Sequence, residues 1–452
     1  MIRSKSGKNR ILSALGAFLL AVSLAVTGLV AVGCPAPVTV ASEPAAAVAA
    51  NVIFIHPDGA NQQHFHAFRL VDQGPDGYIN WDRLPQLALY RPHVLDNLQA
   101  GSVAGAVAHA AGIKTYFDWF GFDRYGQPIT TITQLARDAG FATGLINSGC
   151  LTEPGTAVFV ASAEDRGDRE YIMLQVAESG VDVILGGGER YFLPKGVPGR
   201  HGMGRRADGR NLIEEMKAKG YTVVFTREEL AAVNPAETDK LLGLFAYRHT
   251  FNDRTEEHLA EHNLPLFWPW APCVGEMTDK AIQILSRNQT GFLLVVEHEG
   301  TDNFADGANN AKGTIEAVRR TDRAIGVAMD FAEAQGNTLV ITAADSDAGG
   351  MNIWAPSPGE IARWEGIVPA TASAPGWHPP YVNLAAADGI GGTGTAPFTT
   401  PCGMQFGIVW AGQMDAATTM IARAYGPKSY LVTGIIDNTD IFHIMMKALG
   451  LD

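Results

Sequence analysis

The sequence predicts an α/β fold, a mainly parallel sheet covered by helices on both faces. Short runs of consecutive apolar residues recur along the chain, as strands buried on both faces require. Stretches of helical periodicity alternate with them. Fifty glycines and 24 prolines supply breaks between short elements.

The elements follow in order. NVIFIH at 51–56 is a buried strand that ends at Pro57-Asp58-Gly59. TITQLARDA at 131–139 is helical with Gly140 as its stop, and 141–146 is the next strand. A helix at 170–179 precedes a strand at 181–185, which runs into Gly186-Gly187-Gly188. Helix 211–219 leads to strand 221–225, and helix 276–287 to strand 292–296. Ile315, Val318, Ile325 and Met329 mark a helix over about 309–334, before a strand at 338–343. No internal repeat is visible. The stretch 351–405 is rich in Pro, Gly and Ala with little periodicity, and reads as an insertion or a cap over a site.

The first fifty residues do not belong to this pattern. Arg3, Lys5, Lys8 and Arg10 precede an apolar run from Ile11 to Val32, the pattern of a secretory signal. The run is also long enough for an uncleaved anchor. Residues 1–34 are either a plain signal peptide, cleaved near 45–50, or a lipoprotein leader with Cys34 as the lipid attachment point. Residues 35–50 form a Pro/Ala linker. These features predict export to the periplasm or the outside. Cys150, Cys273 and Cys402 have no metal-type spacing; one bridge and one free thiol are allowed. The formal net charge of -13 argues against a nucleic-acid partner and leaves small phosphate esters open, because a local cation site outweighs the global field.

Acids gather at strand ends, where ligands bind in open α/β sheets. Asp58 follows the first strand. Glu297 ends the strand before it, with Asp302 and Asp306 close behind. Asp345 ends a third strand, with Ser346 and Asp347 next. One such aspartate is usually a turn residue. Three strands ending this way predict a divalent-metal site.

Longer segments carry more. GIKT at 112–115, TITQLARDAGFATGLIN at 131–147 and ESGVDVILGGGERYF at 178–192 closely resemble alkaline phosphatases. So do LLGLFA at 241–246, EMTDKAIQILSRN at 276–288 and DNTDIFHIMMKALG at 437–450. The resemblance runs in order over 51–452 and implies that family's catalytic domain, with its central sheet sandwiched by helices. It places Ser102 at the nucleophile position. Residues 102–111 are small and helix-compatible, so Ser102 lies at a helix N-terminus that favours anions. The resemblance places Arg166 as the phosphate-gripping arginine.

At the metal positions the sequence departs from the family. Asp58, Glu297, Asp302 and Asp345 match family acids, and Glu153 aligns with the magnesium-side residue. The three zinc-binding histidines align with Asp306, Ser346 and Asp415. Oxygen donors in place of imidazole suit Mg2+, Ca2+ or Mn2+ better than Zn2+. The resemblance implies Asp302, Asp306 and Asp415 around one ion. It implies Asp58, Ser102, Asp345 and Ser346 around a second, and Asp58, Glu153 and Glu297 around a third. Gly101 stands where the family has an aspartate that orients the arginine. His298 and His378 read as ordinary surface or hydrogen-bonded histidines.

The expected activity is phosphate monoester hydrolysis through a phosphoserine, at alkaline pH. Two alternatives stand beside it: a non-catalytic exported protein that binds phosphate or cations, and a phosphodiesterase or sulfatase on the same fold. The resemblance also allows a homodimer, although no interface patch stands out.

Overall fold

The computed structural model describes residues 49–355 and 398–452. The leader, Cys34, most of the linker and residues 356–397, with His378, lie outside the described residues. The strands are Asn51–His56 (β1), Gln86–Arg91 (β2), Ala142–Cys150 (β3), Val183–Gly187 (β4), Thr222–Val224 (β5), Leu241–Leu244 (β6), Phe292–Glu297 (β7) and Thr338–Thr342 (β8). Then come Asn352–Trp354 (β9), Phe398–Thr399 (β10), Gln405–Val409 (β11), Met420–Tyr425 (β12) and Gly434–Asp437 (β13).

Ten of them form one sheet in the order β13-β2-β12-β8-β1-β7-β3-β4-β6-β5. The run from β8 to β5 is parallel, β12 is antiparallel to both its neighbours, and β2 and β13 pair in parallel. The mainly parallel sheet is the one predicted, and it lies between helices.

The centre is apolar because both faces are covered. Every residue of β1 and β7 is buried. Along β1, Val52 and Phe54 join one core while Ile53 and Ile55 join the other, as the two-residue period of a strand requires. Full burial of such side chains contributes about 1.5–3 kcal/mol each. Helix Ala311–Gln335 covers the second core with Ile315, Val318, Ile325 and Met329.

Several expectations are adjusted. β3 continues through Asn147 and Ser148 to Cys150, where the sequence suggested a stop at 146. Its polar end reads as a turn but pairs with β7 and β4, with a register irregularity between Ile146 and Cys150. β2, β12 and β13 are absent from the sequence expectations: β12 and β13 carry only two or three consecutive apolar residues, and in the run Leu87-Ala88-Leu89-Tyr90 of β2 only every second residue is buried. β12 alternates buried with half-buried residues, and Leu87 and Leu89 of β2 are exposed. β9, β10 and β11 form a small antiparallel sheet at the two ends of the expected insertion. Cys150, Cys273 and Cys402 are free thiols. Among the described residues no helix is long and apolar enough to cross a membrane.

Candidate active site

The carboxyl ends of β1, β7 and β3 are in register. His56 partners Glu297, and Glu297 partners Asn147. Asp58 lies in the turn after β1, and Asp345 lies just beyond β8. The Gly59 amide donates to Asp345 Oδ1 at 3.3 Å. Gly59 has φ of +65°, and an added Cβ would stand 2.5 Å from Ala348 Cβ and 2.7 Å from Asp302 Oδ1. Only glycine lets this turn pass beneath Asp302.

Ser102 is in the first turn of helix Gly101–Ala111. Gly105 has no space for a side chain, since a Cβ there would lie 2.4 Å from Asp345 Cβ. The helix therefore rests directly on the strand end that carries Asp345. Gly101 has φ of +56°, and its missing Cβ would meet the Phe117 ring at 2.7 Å. An aspartate is excluded there on both counts. Arg166 instead has Glu153 as a neighbour, 3.7 Å away, and is 43% exposed. A cavity of about 230 Å3 is lined by Ser102, Arg166, Asp302, Asp306 and Asp415, together with Glu153, Glu299, Arg169 and Arg248.

The acids crowd one another. Burial, and then the charge of Asp345, push the Asp58 carboxyl well above its usual range. Burial raises Asp302 similarly, helped by Asp415 and Glu299. Burial and Glu299 raise Glu297. Burial and Glu153 bring Glu299 to about 8, and burial and Asp345 bring Asp415 to about 7. Burial raises Asp306, which accepts a hydrogen bond from the Gly307 amide. Burial also pushes Asp345 upward, but the adjoining His56 outweighs it and the net shift is downward. Both Asp58 oxygens, Glu297 Oε1, Glu299 Oε2 and Asp345 Oδ2 are buried without a hydrogen-bond partner among the described residues. Unpaired buried carboxylates of this density are costly, and divalent cations are the groups that satisfy them. The donor set therefore fits metal ions.

The remaining expected residues sit at the margins. Glu153 is ion-paired with Arg169, with His249 Nε2 4.0 Å away. Burial pushes Glu153 upward, but Arg169 and then His249 outweigh it, so the net shift is downward. Gly155 gives way to Glu297, whose Oε1 lies 2.3 Å from where a Cβ would be. Thr156 accepts from Asn147, and Asn147 also donates to Glu297 Oε2. Ser346 donates to Asp415 Oδ1 at 2.8 Å. Asp347 turns away, toward Thr418 and Asn61. His298 lies in the core, its Nδ1 3.1 Å from Ser148 Oγ and from the Gly300 amide.

Sequence reasoning passed over His56, Glu299, Asn147 and Arg169. Two groups of buried side chains can each converge on one point: His56, Asp58 and Asp345, and Asp58, Glu297 and Glu299. The signal for His56 and Glu299 was a spacing of two: His56 with Asp58, and Glu297 with Glu299. Asn147 lay one residue past the expected strand end at 146, and Arg169 lay in an ordinary charged helix start.

A strand-end acid cluster that fits metal ions thus lies close to a serine in the first turn of a helix. The alkaline phosphatase family model matches residues 49–451. An alkaline phosphatase of Escherichia fergusonii is 30% identical over 460 residues, covering 89% of this chain and 86% of that protein. The streptomycin-6-phosphate phosphatase of Streptomyces griseus is 27% identical over 94% of this chain and 95% of that protein. The solved alkaline phosphatase of Thermus thermophilus superposes with a TM-score of 0.69 at 24% identity, over 90% of this chain and 92% of that one. This chain belongs to the alkaline phosphatase family. It is a hydrolase of the phosphomonoesterase type, and its family implies divalent metals and phosphate monoester substrates.

Proposed function

We propose that the chain hydrolyses phosphate monoesters through a phosphoserine on Ser102. The observation that carries this is the position of Ser102, at a helix N-terminus in one cavity with Arg166, Asp302, Asp306 and Asp415. Ser102 Oγ attacks phosphorus in line, the ester oxygen leaves, and water then attacks the phosphoserine to release phosphate. The first backbone N–H groups of the helix and the Arg166 guanidinium hold phosphate oxygens. Asp302, Asp306 and Asp415 would hold one divalent ion; Asp58, Asp345 and Ser346, beside Ser102, a second; Asp58, Glu297 and Glu299 a third. Glu153 borders the third position, with Arg169 on its oxygens. Bound ions acidify the serine hydroxyl and water and neutralise charge on the phosphate.

Oxygen donors dominate, so Mg2+, Ca2+ and Mn2+ are the proposed ions, with Zn2+ less suited. The basic start and apolar run of residues 1–34 support export, with Cys34 as a lipid attachment point or the leader cleaved. Residues 51–452 are proposed as the catalytic domain with 351–405 as its insert, and homodimerisation rests on the resemblance alone.

The test is turnover of p-nitrophenyl phosphate, bis-p-nitrophenyl phosphate and p-nitrophenyl sulfate by chelator-treated protein, each with Mg2+, Ca2+, Mn2+ or Zn2+ restored. Selective monoester turnover with the hard ions supports the reading. Selective diester or sulfate turnover overturns it, and phosphate binding without turnover makes the chain a binding protein.

A further inference from the structure

His56 closes β1 on the same face as Val52 and Phe54, inside the sheet and with no exposure. Its neighbours on that face are Phe54, 5.9 Å between ring centroids, and His109, 5.5 Å away. A strand whose six residues are all buried would normally end on another apolar side chain here. Burying an imidazole instead is costly unless its nitrogens find partners. Neither ring nitrogen has a hydrogen-bond partner among the described residues.

The direction of the ring is informative. Nε2 lies 3.6 Å from Asp58 Oδ1 and 3.5 Å from Asp345 Oδ1, almost midway between two buried carboxylates. An N–H···O hydrogen bond closes to about 2.9 Å and selects one acceptor. Donors held about 2.1 Å from a shared cation stand about 3.0 Å apart in an octahedron and about 3.4 Å apart in a tetrahedron. The observed separations lie closer to the tetrahedral edge than to a hydrogen bond. Three donor atoms from His56, Asp58 and Asp345 fall within 4.8 Å of one another, so one ion can meet all three.

We propose that His56 Nε2 is a ligand to the divalent ion that Asp58 and Asp345 bind, which makes this position a mixed nitrogen and oxygen site. The inference rests on reading the acid cluster as metal-binding. The imidazole comes from the buried end of β1, while the Ser346 hydroxyl donates to Asp415. His109 stands edge-on behind His56 and gives the far side of the ring a polar neighbour. One consequence is a division of labour among the ions. The Asp302 group and the Glu297 group offer oxygen only and select hard ions. The His56 position selects a borderline ion, such as Mn2+, Co2+ or Zn2+, over Ca2+.

The test uses the full chain labelled with [15N]histidine, stripped with chelator and loaded with 113Cd2+. The expected result is a one-bond 113Cd–15N coupling in the NMR spectrum. It should be lost in His56→Gln and kept in His249→Gln and His64→Gln, the other buried histidines beside acids. Cd2+ affinity at this position should fall at least about 10- to 100-fold in His56→Gln, with Mg2+ binding elsewhere within about two-fold. If His56→Gln does not fold, a coupling that persists in His64→Gln, His109→Gln, His249→Gln and His298→Gln, the other buried histidines among the described residues, still assigns the nitrogen to His56, and loss in any one of them overturns the proposal. Ions bound with no nitrogen coupling, or an unchanged Cd2+ affinity in folded His56→Gln, overturn this proposal and leave the metal-dependent reading standing. Failure to bind any divalent ion overturns both.

Discussion

Gly105 lies against Asp345, so close that a Cβ on the glycine would stand 2.4 Å from that of the aspartate. Ser102 is three residues earlier in the same helix and shares its face. The contact therefore sets the height of the serine above the strand-end acids. Gly105→Ala should gain up to about 1 kcal/mol of helix propensity but lose about 1–3 kcal/mol to overpacking. Urea denaturation should show the net loss, and kcat should fall with it because the serine is displaced. A variant with unchanged kcat would show that the contact does not position Ser102.

Ser102→Ala removes the proposed nucleophile while leaving the acids in place. Turnover of p-nitrophenyl phosphate should drop on the order of 10³-fold or more. Acid-quenched wild-type protein incubated with phosphate ester should carry one added phosphoryl group by mass spectrometry, and the variant none. Metal stoichiometry should be similar in both.

Arg166 and Arg169 should separate cleanly. Arg166 is 43% exposed and faces the cavity, so Arg166→Ala should cost binding of the phosphate oxygens, about 1.5–3 kcal/mol or roughly 10- to 150-fold in kcat/KM. Its melting temperature should hardly change. Arg169→Met removes the closer of the two arginines beside buried Glu153, leaving the half-exposed Arg166 at 3.7 Å, and should destabilise the fold by up to about 3 kcal/mol.

Restoring imidazole should retune the metals. Asp306→His combined with Asp415→His replaces two oxygen donors with nitrogen and should move the best activator from Mg2+ toward Zn2+. Activation curves for each ion before and after the exchange measure this. Equal Mg2+ dependence in both proteins would place these residues away from the ion.

The pH dependence follows from the raised carboxyls. Glu299 titrates at about 8 and Asp415 at about 7 in the fold, against about 4 when unfolded. Between pH 4 and 7–8 the folded state thus holds more protons than the unfolded one. Metal-free stability should fall as pH rises through that window, by up to about 1.4 kcal/mol per pH unit for each group. Saturating divalent ion, which binds the ionised form, should flatten or reverse the slope. Melting curves at pH 5 and pH 8, with chelator and with Mg2+, make the comparison.

Much of this was legible in order along the chain. The apolar run of β1 and the periodicity of helix Ala311–Gln335 are local properties, set by burial on two faces or on one stripe. Asp58, Glu297 and Asp345 could be read as site candidates because strand ends in a parallel sheet point to one edge. β12 was not legible, since its half-buried alternation gains meaning only from antiparallel pairing with β2 and β8. Asn147 was lost for a related reason, because a polar strand end looks like a turn until β7 pairs with it.

The sequence by itself determined the alternating elements, the edge of the sheet where the acids gather and the family resemblance that singled out Ser102 and Arg166. These depend on local periodicity and on ordered similarity, both of which survive in one dimension. The tertiary structure decided which charges meet. It gave Glu153 to Arg169, set Glu299 beside Glu297 and Asp58, and aimed His56 between Asp58 and Asp345. Electrostatic partnership depends on distances of a few ångströms between residues far apart in the chain, such as His56 and Asp345, 289 positions apart, and only the packed sheet and its helices fix those distances.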